Sequence, residues 1–349
     1  MGNVMSYSGI VTKVRAMQAK LLTERDFENI AGLRSVPEVV EYLKGKPAYA
    51  DALNRMDDTL YHRGNVEKVL GQSLYADYSR IYRFAGMKQK QFIKGFWKQY
   101  EIALINYCLR IVFNHYDMPF DLDYKKEYFD RYSQISIDKL VTSENIGELV
   151  ENLKGTEYYE PLWRFRDSEE ATLYDYNMAL DQYYFRNAWR RQRKALSKEE
   201  RKLYTRDCGV KIDLLNLQWI YRAKKYYHML PPDIYQMMIP IQYRLKEEEF
   251  KALVEAPSLE QFIQLVSNTY YKRYLDASWQ QYAVEQVYKD CLHKLYISDR
   301  RRNPYSIATV NTYLFLKEEE IDKLITALEC IRYGLSQKET LEYLGGVSQ

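Results

Sequence analysis

The amino-acid sequence predicts an all-α protein made of three similar helical bundles, and three observations carry that expectation. Glycine (14) and proline (9) are scarce among 349 residues, too few for the many tight turns of an all-β or nucleotide-binding fold. Apolar residues recur at three- and four-residue spacing, as at Ile10, Val14, Met17 and Leu21, which gathers them on one helix face. One plan also occurs three times. Its signature tyrosines, Tyr49, Tyr158 and Tyr271, stand 109 and 113 residues apart, each four residues before a leucine (Leu53, Leu162, Leu275).

Each unit opens with a short-helix segment: LLTERDFENIAGLRSVPEVVEYLKGKPAYADAL (21–53), KLVTSENIGELVENLKGTEYYEPL (139–162) and RLKEEEFKALVEAPSLEQFIQLVSNTYYKRYL (244–275). Ser35 with Glu38, and Ser258 with Gln261, read as capping boxes, in which a hydroxyl and a side-chain carbonyl satisfy each other's orphan amides. Unit two has Ser143 but Ile146 where the Glu or Gln should stand, so its cap is weaker. An aromatic helix follows in each unit (SLYADYSRIY, ALDQYYFRNAW, AVEQVYKDCLHKLY), then a second long helix from Tyr100, Val210 and Lys317. Asn106 and Asn216 are 110 residues apart in those helices. His115 and His228 fall at helix ends before the connectors NHYDMPFD and HMLPPD, where a cation complements the dipole. The period far exceeds the roughly 20–50 residues of a solenoid, so each unit is domain-sized: 1–118, 119–230 and 231–349.

With 46% hydrophobic and 28% charged residues the chain can bury a core, and a net charge of +3 demands no polyanionic partner. Cys108, Cys208, Cys291 and Cys330 lie far apart and read as free, small hydrophobes. The best apolar run, Ile102 to Phe113, contains Asn106 and Arg110, so no membrane span is expected. The N-terminus has no signal-peptide pattern, and Met1-Gly2 with Ser6 reads as a chance match to a myristoylation signal. The 35 tyrosines fit helix seams, where a hydroxyl must find a partner.

Enzyme signatures fail: no phosphate loop, GxGxxG, HExxH or GxSxG occurs, and the four histidines are scattered. No catalytic, cofactor-binding or metal-ligating residue is therefore expected. The acidic runs Glu247–Glu249 and Glu318–Glu320 read as solvated helix starts. The basic run Arg186–Lys194 around Trp189 is followed by Glu199, Glu200 and Asp207, which fits a charged helix face better than a nucleic-acid patch. Arg300-Arg301-Arg302 before Asn303-Pro304 reads as an exposed connector.

The stretch VKIDLLNLQWIYRAKKYY (210–227) resembles the hallmark helix of the C-subunit family of V/A-type rotary ATPases, whose eukaryotic members are called d subunits. The positions that carry the resemblance are Ile212, Asp213, Asn216, Ile220, Arg222 and Lys224. The ending YLFLKEEEIDKLITALECIRYGLSQKETLEYL (313–344) and the opening VRAMQAKLL with SVPEVVEYLKGKPAY are similar to that family's ends. The resemblance implies three helical domains in a pseudo-threefold funnel and a non-catalytic, cofactor-free central-stalk subunit present in single copy. Its implied partners are the central shaft subunits and the membrane ring, on whose cytoplasmic face it sits, peripheral to the membrane. Ion transport and ATP synthesis would then be functions of the whole complex. Arg222 and Lys224 become candidates for facing the shaft. The alternative is a generic helical scaffold for protein interactions, with the same fold but no shaft and no ring; the triple period together with the helix at 210–227 favours the rotary subunit.

Overall fold

A computed structural model describes residues 2–115, 120–166, 168, 170–190, 196–273 and 284–345. Leu275, residues 191–194 of the basic run and residues 116–119 of the first connector lie outside them. Among the described residues the regular structure is helical, with no strand. The first helices are α1 (Gly2–Gln18), α2 (Glu24–Ala31), α3 (Val36–Lys44), α4 (Ala50–Leu53) and α5 (Arg63–Phe84). There follow α6 (Met87–Phe113), α7 (Asp123–Tyr132), α8 (Ile137–Leu140), α9 (Ile146–Asn152), α10 (Tyr159–Trp163), α11 (Leu173–Arg190) and α12 (Lys198–Arg222). The last are α13 (Pro231–Met237), α14 (Glu247–Glu255), α15 (Leu259–Val266), α16 (Val284–Arg302), α17 (Ile307–Arg332) and α18 (Gln337–Tyr343).

The chain forms two compact units: Met1–Gly86 with Tyr296–Gln349, and Met87–Leu295. In the first, α1 packs on α5 and α17. Ile10, Val11, Val14 and Met17 of α1 are buried there, against a core that includes Leu70, Ile81 and Leu324. At about 1.5–3 kcal/mol for each fully buried aliphatic side chain, this seam is a main source of the unit's stability. In the second unit α6 packs on α11, and α11 on α12. Trp97 of α6 lies 5.3 Å from the ring of Phe129 and 5.2 Å from that of Tyr132, and Phe92 meets Tyr204 edge-on at 5.4 Å.

The three long helices begin earlier than their apolar periodicity indicates. α6, α12 and α17 start at Met87, Lys198 and Ile307, not at Tyr100, Val210 and Lys317. The added turns are buried on more than one side (Phe92, Ile93, Gly95 and Trp97 in α6; every residue from Ile307 to Leu314 in α17), so they show no single apolar stripe. Helix placement also revises two charge runs. Glu318–Glu320 lies inside α17, with Glu320 buried, and Arg300–Arg302 is the last turn of α16 rather than a connector.

The short helices are capped, though differently from the boxes expected. Ser35 accepts from the Glu38 amide at 3.4 Å, but the Glu38 carboxylate accepts from the Arg34 amide, one residue before the cap. Ser258 accepts from the Gln261 amide at 3.2 Å, without a returning bond. In unit two the cap is Asn145, which accepts from the Glu148 amide at 2.9 Å, while Glu148 reaches back to the Glu144 amide. Asn caps a helix as well as Ser does, so this end is not weak.

Candidate functional site

The three signature tyrosines share one physical task. Each is buried, and each donates its hydroxyl to a carboxylate on a long helix. Tyr49 Oη reaches Glu320 Oε1 at 2.5 Å, Tyr158 Oη reaches Glu101 Oε2 at 2.5 Å, and Tyr271 Oη reaches Asp213 Oδ2 at 2.6 Å. Burial, and then the adjacent carboxylate, hold the Tyr49 and Tyr158 hydroxyls well above the ordinary tyrosine pKa. They therefore stay protonated and serve as donors, which suits fixed anchors.

The carboxylates are stabilised in two ways. Around Glu320, Lys317 Nζ donates to Glu320 Oε1 at 2.9 Å and to Tyr49 Oη at 2.7 Å, and lies 4.2 Å from the Tyr49 ring centre. The Leu22 amide donates to Glu320 Oε2 at 2.5 Å. Glu101 has the same i,i+3 arrangement in looser form. Lys98 Nζ is 3.9 Å from Glu101 and 6.0 Å from the Tyr158 ring, and it also pairs with Glu157. Asp213 has no lysine at that spacing, since Val210 stands there. Three backbone amides approach it instead: Tyr243 at 3.0 Å, Arg244 at 2.6 Å and Leu245 at 3.2 Å. Burial raises the Asp213 pKa, while the Tyr271 hydroxyl and these amides pull it down.

Close approach makes the Asp213 grip feasible. One turn earlier on α12, a Cβ on Gly209 would come within 2.3 Å of the Tyr243 ring, so only glycine lets segment 243–245 lie so near the helix. Leu22 and Leu245 hold corresponding places in LLTERDF and RLKEEEF. The same amide, just ahead of a short helix, is thus gripped by Glu320 in one unit and Asp213 in the other.

Asn216 is buried and pairs both ways with the backbone of Ile239: its Nδ2 donates to the carbonyl and its Oδ1 accepts from the amide, each at 3.0 Å. Asn106 does not repeat this, since its buried Oδ1 has no partner among the described residues. Sequence reasoning missed Glu101 and placed Glu320 only in a solvated acidic run. The signal available was the recurrence of Lys-x-x-Glu-Ile, at Lys98–Ile102 and Lys317–Ile321, in two of the three long helices.

The helix ends supply the exposed surface. His115 and His228 both adopt left-handed backbone with φ of 48°, and Gly334 does so with φ of 71° after α17. Left-handed geometry costs a non-glycine residue about 1 kcal/mol or more and terminates a helix. The histidines thus work through backbone shape as well as position. After Arg222 the helix widens into a π turn, Ala223–Tyr227. Tyr226, Tyr227 and Leu230 are exposed there, beside a cavity of about 460 Å³ lined by Lys225, His228, Leu230, Glu255 and Pro257.

Arg222 and Lys224 take different parts at this end. Arg222 is partly exposed and 3.4 Å from Glu285. Lys224 Nζ donates to the carbonyls of Val254 and Ala256, each at 2.7 Å, and so closes the C-terminal end of α14. Burial lowers its pKa. The four cysteines are buried and form no disulfide, and burial lifts the Cys108 thiol to about 12. Among the described residues no three His, Cys, Asp or Glu side chains group as metal ligands, and no helix is long and apolar enough to cross a membrane.

A family model described as "ATP synthase (C/AC39) subunit" matches residues 10–343. The chain is 24% identical over 343 residues to the C subunit of the A-type ATP synthase of Archaeoglobus fulgidus, covering 97% of this chain and 96% of that protein. It is 24% identical over 349 residues to the protein of the same name from Thermococcus kodakarensis, covering 98% and 91%. For the one from Methanosarcina mazei the identity is 26% over 269 residues, covering 76% and 71%.

Proposed function

Because the chain belongs to the family of ATP synthase (C/AC39) subunits, we propose that it is the non-catalytic central-stalk subunit of a V/A-type rotary ATPase. In this reading it seats the rotating shaft on the membrane ring and passes torque between them. It would lie on the cytoplasmic face of the membrane, in single copy, with its three units (1–118, 119–230 and 231–349) arranged as a funnel. The family match over residues 10–343 carries the proposal. Relatives named as C subunits of A-type ATP synthases support membership in such a complex.

The role needs stiff helices and two binding surfaces, and asks for no nucleophile, metal or cofactor. Buried tyrosine–carboxylate anchors supply stiffness, since close-packed, hydrogen-bonded contacts transmit strain. For the shaft we propose the end of α12: Arg222 with the exposed Tyr226 and Tyr227, aromatic and arginine side chains being the usual anchors of protein interfaces. Lys224 would act beneath this surface by holding α14 in place.

The test is reconstitution of the purified chain with its own shaft subunits and the detergent-solubilised ring. One particle containing all three, which shaft and ring do not form in the absence of the chain, is the expected result. Replacing Arg222 and Tyr226 with alanine should weaken shaft binding at least tenfold with helicity unchanged. A folded chain that binds neither component would instead favour the scaffold reading.

A further inference from the structure

Within the first compact unit, α1 and α16 bring their C-terminal turns to a cavity of about 400 Å³. Arg15 and Gln18 come from α1, Arg300 and Arg301 from α16, and Pro304 and Thr309 complete the lining. No acidic residue lines it. Asp299, the neighbouring acid on α16, is buried, with only 1% of its surface exposed. Arg15 rests 5.5 Å from the Tyr305 ring centre. Among the described residues, none of the three arginines forms an ion pair with a carboxylate.

Arginines in the last turn of a helix are commonly explained by the dipole, and that explanation falls short here. Each helix C-terminus supplies about half a negative charge. Two such ends offset about one of the three guanidinium charges and leave about +2 around the cavity. Burial, followed by the neighbouring charges of Arg301 and Arg15, pushes the Arg300 pKa down, as repulsion without a counter-charge should.

We propose that this cavity is an anion site for a phosphate group, carried either by a small soluble molecule or by a lipid headgroup. Three guanidinium forks present more donors than a planar carboxylate can accept, whereas a tetrahedral phosphate offers oxygens in several directions. A cavity of 400 Å³ also leaves room for whatever the phosphate is attached to. The site is independent of the rotary role, and its failure would leave that reading standing.

The experiment uses the full chain in two arms: calorimetric titration with inorganic phosphate, and co-sedimentation with phosphatidylcholine vesicles with and without phosphatidic acid. Arg300→Gln tests the partly buried member. Arg301→Gln tests an exposed one whose loss does not threaten folding, and Lys251→Gln on α14 is the control for general charge. Saturable binding in either arm, weakened about tenfold or more by each arginine variant and not by the control, is expected. Phosphate binding in solution identifies the free anion, and binding to phosphatidic acid vesicles alone identifies the headgroup. The proposal falls if neither arm shows binding, or if the arginine variants bind as the control does.

Discussion

Glu320 in the first unit and Asp213 in the second each accept from a signature tyrosine (Tyr49 and Tyr271) and from the amide of a corresponding leucine (Leu22 and Leu245), yet their charges are met differently. Glu320 shares its site with the Lys317 ammonium, itself only 1% exposed. Asp213 has no cation and takes three consecutive amides from segment 243–245. The difference follows from reach. Glutamate's extra methylene lets it meet a lysine three residues back while still touching a neighbouring stretch of chain. Aspartate is shorter, so the backbone must come to it, and Gly209 is what permits the approach. The first solution couples side chains, whereas the second clamps a segment.

The largest expected effect breaks the first solution. Glu320→Ala would leave Lys317 buried without its counter-charge, at a cost of about 3–5 kcal/mol measured by chemical denaturation. Lys317→Met combined with Glu320→Leu should recover part of that loss, because the apolar pair removes both charges but leaves the Tyr49 hydroxyl and the Leu22 amide without their acceptor. A cost near zero for the single change would mean that water reaches this lysine.

Next comes the clamp. Asp213→Asn keeps the shape but places an amide group against backbone donors, for a loss of about 2–3 kcal/mol in the same assay. It should also remove a pH dependence. The Asp213 pKa is raised above its ordinary 3.8 in the folded state, so the folded protein holds this proton more tightly than the unfolded chain. Its contribution to stability is therefore full below 3.8, falls as pH rises through the folded value, and is flat above it. The Asn variant should lack that decline, and an unchanged pH profile would assign the titration to another group.

The smallest effects sharpen the role of close approach. Gly209→Ala should cost about 1–3 kcal/mol, as overpacking does, because its Cβ would overlap Tyr243. Gly9→Ala in α1, where nothing lies within 4 Å, should gain about 0.5–1 kcal/mol, since alanine favours a helix interior. Equal effects of the two changes would show that helix propensity, not the Tyr243 contact, governs position 209.

Much of this was legible in sequence, for reasons tied to particular residues. Tyr49, Tyr158 and Tyr271 stood out because a buried hydroxyl needs a partner at a fixed place, which preserves spacing. Asn216 stood out in the same way, although its counterpart Asn106 lacks the Ile239-like pairing. The partners were harder to see. Glu320 sits in a run of three glutamates and reads as solvent-facing until helix phase is known. Lys224 reads as a free surface charge until α14 arrives to accept from it.

The sequence by itself determined the all-α fold, the period near 110 residues and the family, because helix periodicity, scarce glycine and recurring short motifs are local properties. Only the tertiary structure decided which charges are buried, which carboxylate each tyrosine meets, and that Arg15 and Arg300 share a cavity. Those pairings join residues up to about three hundred positions apart. Whether a charge meets water or a partner depends on what packs over it, and no local pattern in the chain records that.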